Sequence, residues 1–172
     1  MSLKGKRIAI LAEDIYEDLE LWYPYYRLAE EGVEIKIIGP EDKEYHSKYG
    51  YPAQAEFAAE KVKADDFDGV VVPGGFAPDR LRRYPAVLNL VRGIFEKGGV
   101  VASICHGAWV LISAGIIKGK RATCVSAIKD DLINAGATYL DQEVVIDGNL
   151  VTSRTPQDLP AYLPAIITAL KK

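Results

Sequence analysis

The chain has 172 residues, 49% of them hydrophobic and 26% charged, with a formal net charge of −3. That balance excludes a disordered chain and gives no footing for a nucleic-acid surface. Two cysteines and two histidines are too few for a disulfide scaffold or a Cys/His zinc cluster. No apolar run is long enough to span a bilayer, and Ser2-Leu3-Lys4-Gly5-Lys6-Arg7 carries no apolar signal core. The expectation is one domain over residues 1–172, cytoplasmic with reduced thiols, in which residues 1–4 form a flexible or artificial start.

Arg7 to Ala12 reads as a buried strand, Asp14 to Tyr16 as a loop, and Asp18 to about Glu31 as a helix stopped by Gly32. Leu19, Trp22, Tyr23, Tyr26 and Leu28 form its apolar stripe, while Pro24 requires a kink or a later start. Val33 to Ile38 is a second strand, Tyr45 to Tyr51 a small hairpin, and Ala55 to Val62 a further strand. Gly69 to Val72 is a buried strand running into Pro73-Gly74-Gly75, with helices expected from Asp79 to Tyr84 and from Pro85 to Lys97. Gly99 to Ile104 is a strand followed by a helix from His106 to Ala114. Ala122 to Val125 is a strand, and Ile128 to Ala135 a helix. Glu143 to Ile146 and Leu150 to Thr152 pair across Asp147-Gly148-Asn149, and a last helix runs from near Gln157 to Leu170. Strands alternating with helices imply a mostly parallel sheet covered on both faces.

Ligands of such sheets bind beyond the carboxyl ends of the strands. Three of those ends carry polar or glycine-rich residues: Glu13 to Asp18, Pro73-Gly74-Gly75 and Cys105-His106-Gly107. Ser103 and Gly107 flank Cys105 at minus two and plus two, the spacing of a nucleophile elbow with Cys in place of Ser. A thiol at a helix N-terminus is favoured as thiolate; the bland alternative is an ordinary core cysteine. The absence of any His after position 106 excludes an amidotransferase-type triad. No G-x-S-x-G, P-loop or G-x-G-x-x-G is present. Read locally, His46 is a solvated hairpin residue, Cys124 a packed strand residue, Glu17 a helix-end charge and Asp79 a helix cap. Gly74-Gly75 is either a plain turn or an oxyanion-directed loop.

Several stretches together resemble the PfpI-type intracellular cysteine protease family, within the superfamily of the parkinsonism-linked glyoxalase/deglycase. They are Tyr16-Glu17-Asp18-Leu19-Glu20-Leu21, Lys48-Tyr49-Gly50-Tyr51, Asp66-Phe67-Asp68 leading to Pro73-Gly74-Gly75, and Ala102-Ser103-Ile104-Cys105-His106-Gly107. Ile128 to Gly136 and Val151-Thr152-Ser153-Arg154-Thr155-Pro156 complete the set. The resemblance implies a flavodoxin-like three-layer α/β sandwich with Cys105 in a strained elbow. Glu17 would then lie protonated beside the sulfur, and the Gly75 and His106 N–H groups, with Gly74 in the same loop, would form the oxyanion site. It also implies that Asp79 orients His106 across a subunit interface in a dimer or hexamer. Some relatives have an aromatic residue where this chain has Val125, which implies a differently shaped pocket.

The expected activity is that of a cofactor-free and metal-free cysteine enzyme in stress protection, acting on small carbonyl compounds such as methylglyoxal or their adducts on proteins. An ATP-independent peptidase acting on protein or peptide substrates is the first alternative, because an amide is a poorer electrophile than a dicarbonyl. A redox sensor or stress chaperone with an oxidisable cysteine is the second. No nucleic-acid or membrane partner is expected.

Overall fold

Gly69–Val72 and Val100–Ile104 are buried at every position, as strands covered on both faces must be. In the computed structural model, which describes residues 3–172, they are the centre of a seven-stranded sheet. In chain order its strands are β1 (Arg7–Leu11), β2 (Glu34–Gly39), β5 (Phe57–Ala58), β6 (Gly69–Val72), β7 (Val100–Ile104), β10 (Val144–Asp147) and β11 (Leu150–Ser153). The spatial order is β10-β11-β7-β6-β1-β2-β5, and every pairing is parallel except β10 with β11. Chain direction across the sheet reverses between β1 and β6, which places the switch point of this flavodoxin-like sandwich beside the first two glycine-rich or acidic loops. Two small sheets lie outside it: the hairpin of β3 (Glu44–His46) with β4 (Pro52–Gln54), and β8 (Arg121–Ala122) with β9 (Thr138–Tyr139).

Helices α1 (Asp18–Glu30) and α6 (Leu159–Leu170) pack together as one layer. The other layer joins α2 (Ala77–Leu81), α3 (Pro85–Glu96), α4 (Ala108–Ala114) and α5 (Lys129–Asn134). α4 ends on Gly115 in the left-handed conformation at φ +74°, the C-cap its sequence signals.

Several expectations about these elements need correction. α1 runs unbroken through Pro24, but its inward face is Glu20, Leu21, Pro24 and Leu28, whereas Leu19, Tyr23 and Tyr26 are exposed. The expected strand from Ala55 to Val62 shrinks to two residues followed by a 3-10 turn. The helix expected from His106 opens as a 3-10 turn, Cys105–Gly107, before α4 begins. Of residues 1–4, Met1 and Ser2 lie outside the described residues, and Leu3 is buried in the core with its carbonyl accepting the Lys6 N–H.

Candidate active site

The elbow is a strained turn built from a strand that cannot continue. Cys105 has φ +59°, a region that costs a non-glycine residue about 1–3 kcal/mol and persists only where its surroundings enforce it. A Cβ on Gly107 would lie 2.5 Å from the Val72 carbonyl oxygen, so the chain can descend from the elbow only without a side chain there. Cys105 is left partly exposed at the end of β7, with its sulfur reached from three directions.

The first direction is the backbone. The N–H groups of Gly75 and His106 both hydrogen-bond the sulfur. Gly75 achieves this with φ +76° in a loop tied to the end of β1, where Glu17 N–H donates to Gly74 O and Phe76 N–H to Ile15 O. The two backbone groups expected at an oxyanion site thus lie beside the sulfur. Gly74 is not part of it, because its N–H donates to Glu20 Oε2 at 2.8 Å.

The second is the imidazole of His106, whose Nδ1 stands 3.2 Å from the sulfur. Its ring meets Trp109 edge-to-face at 5.1 Å, and the Trp109 indole donates to Asp131. Burial holds His106 below the ordinary histidine value, so it is neutral at pH 7.

The third is a carboxyl group, and it belongs to Glu20. Glu20 is fully buried on the inner face of α1, and a Cβ on Gly74 would lie 2.5 Å from its Oε2 and 3.1 Å from the Cys105 sulfur. The two side chains thus converge over the same glycine. Burial, reinforced by the Glu17 charge, pushes Glu20 up to about 8, which leaves it protonated at neutral pH. The expectation that Glu17 lies against the sulfur is corrected. Its Oε2 accepts the Glu20 N–H at 3.0 Å as the N-cap of α1, and its Oε1 faces Lys48 Nζ at 3.8 Å.

The thiolate expected from a helix dipole also gives way. Burial pushes the Cys105 thiol up to about 12, helped by the nearby Glu20 charge and opposed by the two backbone donors. An ionised Glu20 raises the sulfur, whereas a protonated Glu20 offers it a hydrogen bond, so the two groups titrate as a pair.

Asp79 stands apart from this cluster within the chain. It caps nothing: its carboxylate pairs with Arg83 one turn along, and among the described residues no contact joins it to His106. His46 is exposed and pairs with Glu44 at 3.0 Å, and Cys124 is buried. Val125 packs partly buried against the core.

Residues 6–169 match the DJ-1/PfpI family. The chain belongs to that family. A Pyrococcus abyssi protein named a deglycase is 46% identical over 96% of this chain and 99% of its own length. YraA of Bacillus subtilis, whose name places it provisionally among cysteine proteases, is 41% identical over 97% of this chain and 99% of its own. Among solved structures, the DJ-1/PfpI-like and ferritin-like two-domain protein of Anabaena variabilis superposes with a TM-score of 0.95. The two are 42% identical, and the match covers 97% of this chain but 48% of that one. Drosophila melanogaster DJ-1beta superposes with a TM-score of 0.90 at 28% identity, covering 99% of this chain and 91% of that one.

Within this DJ-1/PfpI chain, sequence reasoning missed Glu20 and Lys48. The signal for Glu20 is its register: positions 20, 24 and 28 recur at helical spacing, so an inward Pro24 and Leu28 carry Glu20 inward with them. Lys48 leaves no such signal, because it reaches Glu17 from the loop that joins the two strands of the small hairpin.

Proposed function

We propose that the chain is a cysteine-nucleophile enzyme that converts small reactive dicarbonyls such as methylglyoxal to 2-hydroxy acids, and acts likewise on their early protein adducts. The observation that carries this reading is the meeting of a neutral acid, Glu20, and a neutral base, His106, at one sulfur that also faces two backbone donors. Relatives named deglycases support the same substrate class.

The reaction needs no external oxidant. His106 Nδ1 takes the thiol proton as the sulfur adds to the aldehyde carbon, and the Gly75 and His106 N–H groups stabilise the resulting alkoxide. The imidazolium then returns that proton to the oxygen. His106 next removes the former aldehyde C–H proton while Glu20 protonates the neighbouring carbonyl oxygen, giving an enediol. Reprotonation at the neighbouring carbon by His106 and loss of the hydroxyl proton on the sulfur-bearing carbon to Glu20 leave a thioester. Water hydrolyses it to the 2-hydroxy acid and free thiol. One water is consumed, and an internal transfer of hydrogen between carbons balances the electrons.

Peptide hydrolysis is the second reading, favoured by the provisional protease name of YraA. It would place Asp79 of a second copy against His106 in a dimer or hexamer. Here Arg83 competes for that carboxylate. A sensor without turnover is disfavoured, since oxidation follows thiolate character and burial raises this thiol. The test is lactate formation from methylglyoxal by wild type and Cys105→Ser. The reading expects loss to background in the variant, and a wild type with no Cys105-dependent turnover overturns it.

A further inference from the structure

Behind Glu20 lies a second unsatisfied oxygen. Tyr162, in the first turn of α6, is fully buried, and its hydroxyl has no hydrogen-bond partner among the described residues. Glu20, in the first turn of α1, is equally buried, and its Oε1 is likewise unpartnered. The two helices pack against each other. Each follows a strand of the same parallel array, β1 and β11, so both first turns lie at the carboxyl end of the sheet with Cys105. Two orphaned oxygens at that depth are costly, and each is the complement of the other: a phenol that donates and a carboxyl oxygen that accepts.

We propose that the Tyr162 hydroxyl donates to Glu20 Oε1 through one buried water, and so fixes the carboxyl with Oε2 turned toward Cys105. Tyr162 is then a positioning residue that acts through Glu20 and does not touch substrate. The proposal rests on the reading of Glu20 as the acid of the site. Electrostatic proximity supports it, since the Glu20 charge pushes the phenol's own ionisation further up. The groups facing Glu20 are Glu17 on its own helix, Lys48 from the loop, Cys105 at the elbow and the Gly74 N–H. At the head of α6, Asp158 is held by Arg154.

A donor on Oε1 stabilises the carboxylate more than the acid, so removing it makes Glu20 hold its proton to higher pH. Infrared spectra of the full chain between pH 5 and 10 follow the carbonyl stretch of the protonated carboxyl, assigned by its disappearance in Glu20→Gln. The expected result is a midpoint near 8 in the wild type, moved up by roughly 0.5–1 pH unit in Tyr162→Phe, which removes one hydroxyl and keeps the ring. The alkaline limb of the turnover profile moves with it. A Glu20 band whose midpoint is unchanged in Tyr162→Phe overturns the role of Tyr162. No assignable band at pH 6 overturns the acid reading of Glu20 itself, so the two failures are distinct. Should Tyr162→Phe not fold, the wild-type band decides: a frequency typical of a hydrogen-bonded acid carbonyl supports the contact, and that of a free one refutes it.

Discussion

The elbow after β7 and the segment after β8 each carry one cysteine, and burial pushes both thiols up to about 12. Cys124 is completely enclosed, and the Asp131 charge adds to the effect of burial on its ionisation. Cys105 is partly exposed, and what surrounds its sulfur is chemistry: an imidazole nitrogen, a protonated carboxyl and two backbone donors. A raised thiol pKa therefore does not separate a reactive cysteine from an inert one. The groups that can take, give or replace its proton do.

The largest effect that can break this contrast is replacement of the sulfur. Cys105→Ser should remove dicarbonyl turnover to background, while Cys124→Ala should keep it within a few-fold and instead lower the melting temperature through lost packing. Comparable losses of turnover from both would erase the distinction. Next comes the acid: Glu20→Gln should lower kcat by about 10²–10⁴-fold, the usual scale for a positioned proton-transfer group. Alkylation of Cys105 by iodoacetamide should persist in that variant, since the amide leaves an uncharged group beside the sulfur, as the protonated carboxyl does at neutral pH. A parallel fall in both would mean that Glu20 serves only to hold the elbow together.

The same variant sharpens the comparison through stability. Glu20 is raised from 4.5 to about 8 in the fold. Below pH 4.5 the folded and unfolded chains both carry the proton, so burial costs nothing there. Between 4.5 and 8 only the unfolded chain ionises, and wild-type stability falls as pH rises. Glu20→Gln should thus match the wild type near pH 4 and exceed it by a few kcal/mol at pH 9 in thermal or urea melts. Equal stability at both pH values would show that Glu20 is not buried as an acid. The smallest expected effect is Glu17→Ala, which removes an N-cap and should cost about 1 kcal/mol.

The sheet was legible because its strands are short apolar runs ending in glycine or polar loops, and Gly69–Val72 and Val144–Asp147 fall where those runs lie. The elbow was legible because small residues at 103 and 107 are a steric demand of the turn. Glu20 was not, and the reason is physical. The first helix carries Leu19, Tyr23 and Tyr26 on the outside, so a stripe assigned by apolarity turns the helix the wrong way and sends Glu20 to solvent. Tyr23 and Tyr26 are exposed, and the face that reaches the sheet contains a carboxylic acid. A charge at a core position breaks the binary pattern where the site needs it. Residue identity likewise could not separate Glu17 from Glu20, three positions apart, since one caps the helix and the other enters the core only through helical phase.

The most direct test of that assignment is kcat for lactate formation from methylglyoxal in Glu20→Gln and Glu17→Gln side by side. The site described here predicts at least a 100-fold fall for Glu20→Gln and less than a 10-fold change for Glu17→Gln. The reverse order, with Glu20→Gln near wild type and Glu17→Gln inactive, would contradict it.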